Sequence, residues 1–291
     1  MREVKTVSIQ WYPGHMAKAA REVSESLKLV DVVIEVLDAR LPESSRNPMM
    51  AARVGEKPTV LALAKVDLAD PDVTERFVQN YHRHSELRAV AIDTLRGTGM
   101  KELIAAAATL AEPKLQRLAA KGIHRPTVRA LVIGIPNAGK SSLINRLARR
   151  SAVKTGDKPG VTRQKQWIKV GKEFELLDTP GILWPKFEDR SVALRLAWSG
   201  AIESTILPLE ELAVNLIEWL RDTYPERLLE RYRLEDLEVS SERLFAQIAI
   251  QRGAILPGGL PNLEQAAQKL LRDVQTGKMG RISFDRPEEN V

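Results

Sequence analysis

The chain has 291 residues, 44% of them apolar and 28% charged, and a net charge of +6; this is the balance of one large or two modest globular domains and excludes a wholly disordered chain. It contains no Cys, which excludes disulfides, a thiolate metal site and a cysteine nucleophile. No uninterrupted apolar run reaches the ~18 residues that span a bilayer, and the first residues lead into no signal-like apolar core, so the expectation is a cytoplasmic protein with no membrane partner.

In chain order, Trp11-Tyr12-Pro13-Gly14-His15-Met16 leads into a helical pattern over about 15–29. A β-branched run at 31–37 follows, ending in Asp38-Ala39-Arg40 and a loop with Ser44, Ser45 and Arg46. That short basic, hydroxyl-rich loop suits contact either with RNA phosphates or with a neighbouring loop, and a capped surface turn is the competing reading. Further strand patterns lie at 59–64, 89–92, 129–133, 166–170 and 173–177, with helical patterns at about 72–83, 99–120 and 139–150. Strand–helix alternation predicts an α/β fold with a mostly parallel six-stranded sheet covered on both faces. Only Gly171-Lys172 separates the last two strands, which reads as a hairpin and makes one strand antiparallel.

After Pro185 the strand signals stop. Leu263, Ala266, Ala267, Leu270, Leu271 and Val274 recur at helical spacing, with Asn262 placed to cap the start and Gly277 to end it. Another helix spans about 242–252. The predicted organisation is an α/β domain over 1–185 and a smaller all-α domain over 186–291. The charge divides along similar lines: 30 Lys/Arg against 20 Asp/Glu in 1–185, 7 against 13 in 186–242, and 7 against 3 in 243–286. Two basic blocks around an acidic one point to a polyanion touched at two places; a solvated basic surface is the competing reading.

Gly134-Ile135-Pro136-Asn137-Ala138-Gly139-Lys140-Ser141 matches G-x-x-x-x-G-K-[ST], with a strand before it and a helix, opening on Ser141-Ser142, after it. Its glycines let backbone N–H groups close around phosphate at a helix N-terminus. Lys140 would bridge the β- and γ-phosphates and the Ser141 hydroxyl would ligate Mg²⁺. Asp178-Thr179-Pro180-Gly181 ends a strand 38 residues after Lys140. Asp178 would hold Mg²⁺, directly or through water, and the Gly181 N–H would meet the γ-phosphate. Between them, Lys158-Pro159-Gly160-Val161-Thr162 offers Thr162 as a second hydroxyl on Mg²⁺, ordering its loop when γ-phosphate is present.

A guanine reader of the form Asn-Lys-x-Asp is missing after Gly181. Upstream, Ala64-Lys65-Val66-Asp67 ends a strand, and the next strand ends at Ile92-Asp93-Thr94. Asp67 would accept from guanine N1–H and the 2-amino group, Lys65 would lay its stem across the base, and backbone at Asp93 and Thr94 would reach O6. Base reader before phosphate loop is a circular permutation, acceptable because the site is assembled at strand ends in space.

On these segments the chain resembles the circularly permuted GTPases, most closely the ribosome biogenesis GTPase A family, and the likeness extends nearly from end to end. The resemblance implies GTP and GDP as ligands, GTP hydrolysis, and binding to the maturing large ribosomal subunit and its rRNA, by a protein acting as a monomer. One departure stands out: Ala64 occupies the position of the family's Asn, whose amide reaches guanine N7 and braces the phosphate loop. One neutral hydrogen bond is worth ~0.5–1.5 kcal/mol, so weakened binding is expected with base specificity kept by Asp67.

Many GTPases orient the attacking water with a Gln just after D-x-x-G, but here that residue is Ile182. His15 is the catalytic candidate, since a neutral imidazole can position or take a proton. The resemblance implies the same role, and local packing of a helix N-terminal His is the alternative. Asn137 either helps hold K⁺ beside the phosphates, supplying charge, or makes local loop bonds. His82, His84 and His124 read as surface residues. Lys269 and Arg272 on the polar face of the C-terminal helix, with Lys278 and Arg281 after its end, would grip RNA phosphates without an aromatic stacking platform. A nucleotide-dependent rRNA scaffold with negligible hydrolysis is the second functional reading.

Overall fold

The computed structural model describes residues 15–83, 87–125, 127–151, 166–179, 181, 183, 189–202 and 207–287. Two compact units emerge: Met1–Lys186 together with Asp285–Val291, and Phe187–Phe284. The division differs from the sequence expectation at the C-terminus, where Asp285 belongs to the first unit because its carboxylate is bonded to Ser44 there.

The first unit carries the six expected strands: β1 Val32–Asp38, β2 Thr59–Ala64, β3 Leu87–Ala91, β4 Val128–Ile133, β5 Gln166–Val170 and β6 Phe174–Asp178. Their order is β3-β2-β1-β4-β6-β5. All pairings are parallel except the β5–β6 hairpin. β1 and β2 are buried along their whole lengths, which is why they read as continuous apolar runs. The helices are α1 His15–Leu27, α2 Pro48–Val54, α3 Pro71–His82, α4 Met100–Ala120 and α5 Lys140–Ser151. On one face, Val33, Leu131, Ile133 and Leu177 pack with Val23 and Leu27 of α1 and Met50 of α2. On the same face, Leu37, Leu61, Leu63 and Ala89 pack with Val73, Phe77 and Tyr81 of α3.

Local chemistry sets the helix starts. Asn47 accepts from the N–H groups of Met49 and Met50 ahead of Pro48, and Asp70 does the same for Asp72 and Val73 ahead of Pro71. At seven residues α2 is too short to show periodicity, and only its Asn-Pro start signals it. The chain steps from β1 outward to β2 and β3, then returns to place β4 on the other side of β1. The carboxyl ends of these strands therefore meet at a topological switch point, the place where open α/β sheets bind ligands.

The second unit is all-helical: α6 Arg190–Ser199, α7 Leu209–Thr223, α8 Pro225–Tyr232, α9 Ser241–Gln251 and α10 Leu263–Gln275. Asn262 caps α10 by accepting from the Gln265 N–H. Lys278 N–H returns to the Asp273 carbonyl and Gly277 takes φ 76°, the left-handed exit predicted from sequence. Trp198, Trp219, Tyr224 and Phe284 form a ring cluster with neighbouring centroids 5.0–5.9 Å apart. Asp273, almost fully buried, accepts from Arg231, Tyr232 and Arg252, so one carboxylate ties α8 and the C-terminal end of α9 to α10.

Candidate functional site

The phosphate loop leaves β4 at Gly134, whose φ is 149°. A Cβ there would collide with the Val36 carbonyl of β1, so only glycine lets the loop cross this strand end. Asn137, exposed, sits in left-handed backbone at φ 55°, a conformation Asn tolerates better than most residues. Ala138 is buried, Gly139 has φ 112°, and Ser141 and Ser142 are exposed in the first turn of α5.

Lys140 is 8% exposed. Its ammonium donates to the carbonyls of Gly134 at 3.0 Å and Ile135 at 2.7 Å. Burial pushes its pKa down to about 8, with the Asp178 carboxylate pulling part of the way back. Asp178 is buried at the end of β6, paired in register with Val132 of β4. The Thr179 hydroxyl donates to the Val132 carbonyl at 2.6 Å and fixes the chain as it leaves the sheet. Gly181 then passes so close to the loop that a Cβ would lie 2.8 Å from Lys140 Nζ and 2.9 Å from Pro136 N. Lys140, Asp178 and Gly181 are thus one cluster.

Ala64, 1% exposed, ends β2 against the same loop: a Cβ on Gly139 would lie 3.3 Å from its own. Lys65 follows in left-handed backbone at φ 62°, a conformation that costs a side-chain-bearing residue of order 1 kcal/mol and that surrounding contacts must maintain. Its ammonium is 2.9 Å from Asp38 Oδ2. Asp38 also accepts from Arg40 at 2.8 and 3.0 Å through the side chain and 3.0 Å through the backbone. Burial alone would raise the Asp38 pKa; the Arg40 and Lys65 charges outweigh it and hold the carboxyl well below the ordinary range.

Asp67 is partly buried in the turn after Lys65. Asp93 is buried and accepts from the N–H groups of Leu95 at 2.8 Å and Arg96 at 2.9 Å. Its carboxylate therefore shapes the loop that carries Thr94. Arg146 of α5 donates to the Arg96 carbonyl at 2.8 Å, fastening this loop to the helix of the phosphate loop.

Arg40, Ser44 and Ser45 are 1%, 4% and 0% exposed, so these three brace the interior and are not placed for RNA contact; Arg46, partly exposed, pairs with Glu35. The Asp38–Arg40–Lys65 network is the part that sequence reasoning missed, although Asp38-Ala39-Arg40 at a strand end was its visible signal. α1 begins at His15, whose side chain lies outside the described residues, as do His84, the 158–162 segment with Thr162, Pro180 and Ile182. His124 and His82 are exposed, the latter with Nε2 2.9 Å from the Ala89 carbonyl.

In the helical unit, Arg272, Lys278 and Arg281 are exposed. Lys269 differs: its ammonium donates to the Arg252 carbonyl at 2.9 Å, so it caps the end of α9. Among the described residues no helix is long and apolar enough to cross a membrane.

A family model described as 50S ribosome-binding GTPase matches residues 129–240. Ribosome biogenesis GTPase A from Bacillus cereus is 50% identical over 281 residues, spanning 97% of this chain and 95% of that protein. The protein of the same name from Priestia megaterium is 48% identical over 284 residues, spanning 97% and 98%. The chain belongs to the ribosome biogenesis GTPase A family. A GNP-bound YlqF structure from T. maritima superposes with a TM-score of 0.64 at 27% identity, covering 94% of this chain and 100% of that one. As a member of this family, the chain is a GTPase with a circularly permuted P-loop fold and binds guanine nucleotide.

Proposed function

We propose that this GTPase is a cytoplasmic assembly factor that binds the maturing large ribosomal subunit, contacts its rRNA, and couples nucleotide state to a late assembly step. The observation that carries the nucleotide half of the reading is the close approach of Gly181 to Lys140 Nζ and the Pro136 backbone, which brings the D-x-x-G glycine and the phosphate-loop lysine to one place. Lys140 and the loop N–H groups of Asn137, Ala138 and Gly139 hold the phosphates, Ser142 continues the helix N-terminus behind them, and Lys65, Asp67 and the Asp93–Thr94 loop hold guanine. Ser141, Thr162 and Asp178 supply hydroxyl and carboxylate oxygens only, the hard donor set that suits Mg²⁺ together with phosphate oxygens and water. A bound Mg²⁺ would neutralise charge developing on the β- and γ-oxygens. K⁺ beside Asn137 would add to that neutralisation, and exchange of K⁺ for Na⁺ in the assay tests it.

His15 orients or deprotonates the attacking water, because the aliphatic Ile182 has no group able to do so. Exposed Arg272, Lys278 and Arg281 grip RNA phosphates, with no stacking aromatics beside them. The deciding measurement is single-turnover GTP hydrolysis with and without purified large subunits. Strong stimulation is expected. No stimulation, with nucleotide-dependent binding retained, would instead establish the scaffold reading that Ala64 and Ile182 leave open.

A further inference from the structure

Asp285 lies ten residues beyond the end of α10 and is 1% exposed. Both its carboxylate oxygens are engaged: one accepts from the Ser44 N–H at 2.7 Å and the other from the Ser44 hydroxyl at 2.6 Å. Its own N–H donates to the Arg40 carbonyl at 3.3 Å. The next residue of the loop, Ser45, accepts from the Asp38 N–H at 3.1 Å. Arg40 and Lys65 then share Asp38 Oδ2 at 2.8 and 2.9 Å.

From these contacts we infer that Asp285 is a positioning residue for guanine binding: the C-terminal segment locks the loop after β1, and through Asp38 that loop sets Lys65. The path from Asp285 to Asp38 is buried at every member, where charge-assisted bonds are short, strong and costly to leave unmade. Lys65 is its outlet, with 25% of its side chain exposed at the strand-end rim. Elsewhere the loop is anchored by the Tyr81 hydroxyl on Glu43 at 2.6 Å, which fixes its Glu43 side to α3, and by Arg46 on Glu35 at 3.4 Å, while the Asp285 carboxylate holds Ser44. The Asp285 N–H to the Arg40 carbonyl is a backbone bond that survives loss of the carboxylate. What the carboxylate fixes is Ser44, and with it the neighbouring Ser45 hydroxyl that meets the Asp38 N–H and so the placement of the Asp38 carboxylate that holds Lys65. The inference rests on the reading that Lys65 lies across the base.

The test is a cycle of full-length proteins, wild type, Asp285→Ala, Lys65→Ala and the double variant, titrated with GDP and with inorganic pyrophosphate, which fills the phosphate loop alone. Asp285→Ala is expected to weaken GDP by about tenfold and leave pyrophosphate unchanged. The double variant is expected to bind GDP no worse than Lys65→Ala, since both act through one side chain. Asp285→Asn keeps an oxygen for the Ser44 N–H and an amide for its hydroxyl, and is expected to restore most of the affinity. Should Asp285→Ala fail to fold, Ser44→Ala, which keeps the backbone bond, is expected to weaken GDP by about threefold. Unchanged GDP affinity in both Asp285→Ala and Ser44→Ala, with Lys65→Ala impaired, overturns the inference and leaves the base reading standing. Unchanged affinity in Lys65→Ala overturns the base reading and the inference with it. Equal losses of GDP and pyrophosphate in Asp285→Ala show general loosening and also overturn it.

Discussion

Lys140 allows a quantitative prediction without mutation. Its ammonium, 8% exposed and bonded to two loop carbonyls, has its pKa lowered to about 8 by burial, against the opposing pull of Asp178. Nucleotide phosphates placed beside it favour the charged form and raise that value again. Binding must therefore take up a proton wherever the free lysine is partly neutral: about half a proton per GDP at pH 8, about a tenth at pH 7 and about nine-tenths at pH 9. Affinity falls as pH rises, because the neutral amine has no charge to offer, and the loss from pH 7 to 9 integrates to about tenfold. The free fold behaves oppositely. Between about pH 8 and the ordinary value of 10.5 the unfolded chain holds more protons, so the native state gains stability across that window. Calorimetry of GDP binding at pH 8 in buffers of different ionisation enthalpy reads the proton number directly; that pH lies above the terminal phosphate's own titration. A proton count of zero at pH 8, with affinity flat from pH 7 to 9, would refute a depressed Lys140.

Ala64→Asn should tighten GDP by about tenfold, because position 64 abuts Gly139 and an amide there reaches both the base and the phosphate loop; unchanged titrations would remove residues 64–67 from base reading. His15→Ala should keep GTP affinity while lowering subunit-stimulated turnover roughly 10²–10⁴-fold, the usual worth of a positioned proton-transfer group; full stimulated turnover would leave His15 as a packing residue. Replacing Arg272, Lys278 and Arg281 by Ala should weaken large-subunit binding and flatten its salt dependence without touching GTP affinity. Adding Lys269→Ala should act on stability, seen as a lower Tm, because its ammonium caps α9.

The middle of the sheet was legible because β1 and β2 are buried along their whole lengths and therefore spell themselves as continuous apolar runs. The phosphate loop was legible because its glycines answer local steric demands: the clash at Gly134 comes from one carbonyl, and no other residue relieves it. Seven-residue α2 left no periodicity to read. The Asp38–Arg40–Lys65 network was illegible for a different reason. A buried carboxylate with two cationic partners looks, in sequence, like a basic surface loop; only burial tells an internal brace from an RNA contact. Lys269 is the same case in the helical unit, a cation on a polar stripe whose partner is a backbone carbonyl 17 residues away.

The two places where the chain crosses between units explain why a permuted order is useful. The helical unit begins at Phe187, six residues after Gly181, the glycine that lies against Lys140. It ends at Phe284, immediately before Asp285, which is bonded to Ser44 in the loop after β1. On the proposed reading of the site, both covalent connections lie beside nucleotide-binding residues, one near the glycine proposed to meet the γ-phosphate and one near the loop proposed to set the base-reading lysine. A ligand shifts a conformational equilibrium only by its differential affinity for the two states. GTP and GDP differ at the γ-phosphate and share the base. The first connection is then the one able to report which nucleotide is bound, and the second reports whether any guanine nucleotide is bound at all. In an unpermuted GTPase the segment after D-x-x-G returns into the sheet to build the base reader, and such a sensor is enclosed by its own domain. With the proposed base reader placed ahead of the phosphate loop, the chain after Gly181 is free to enter a separate folded unit, which begins at Phe187.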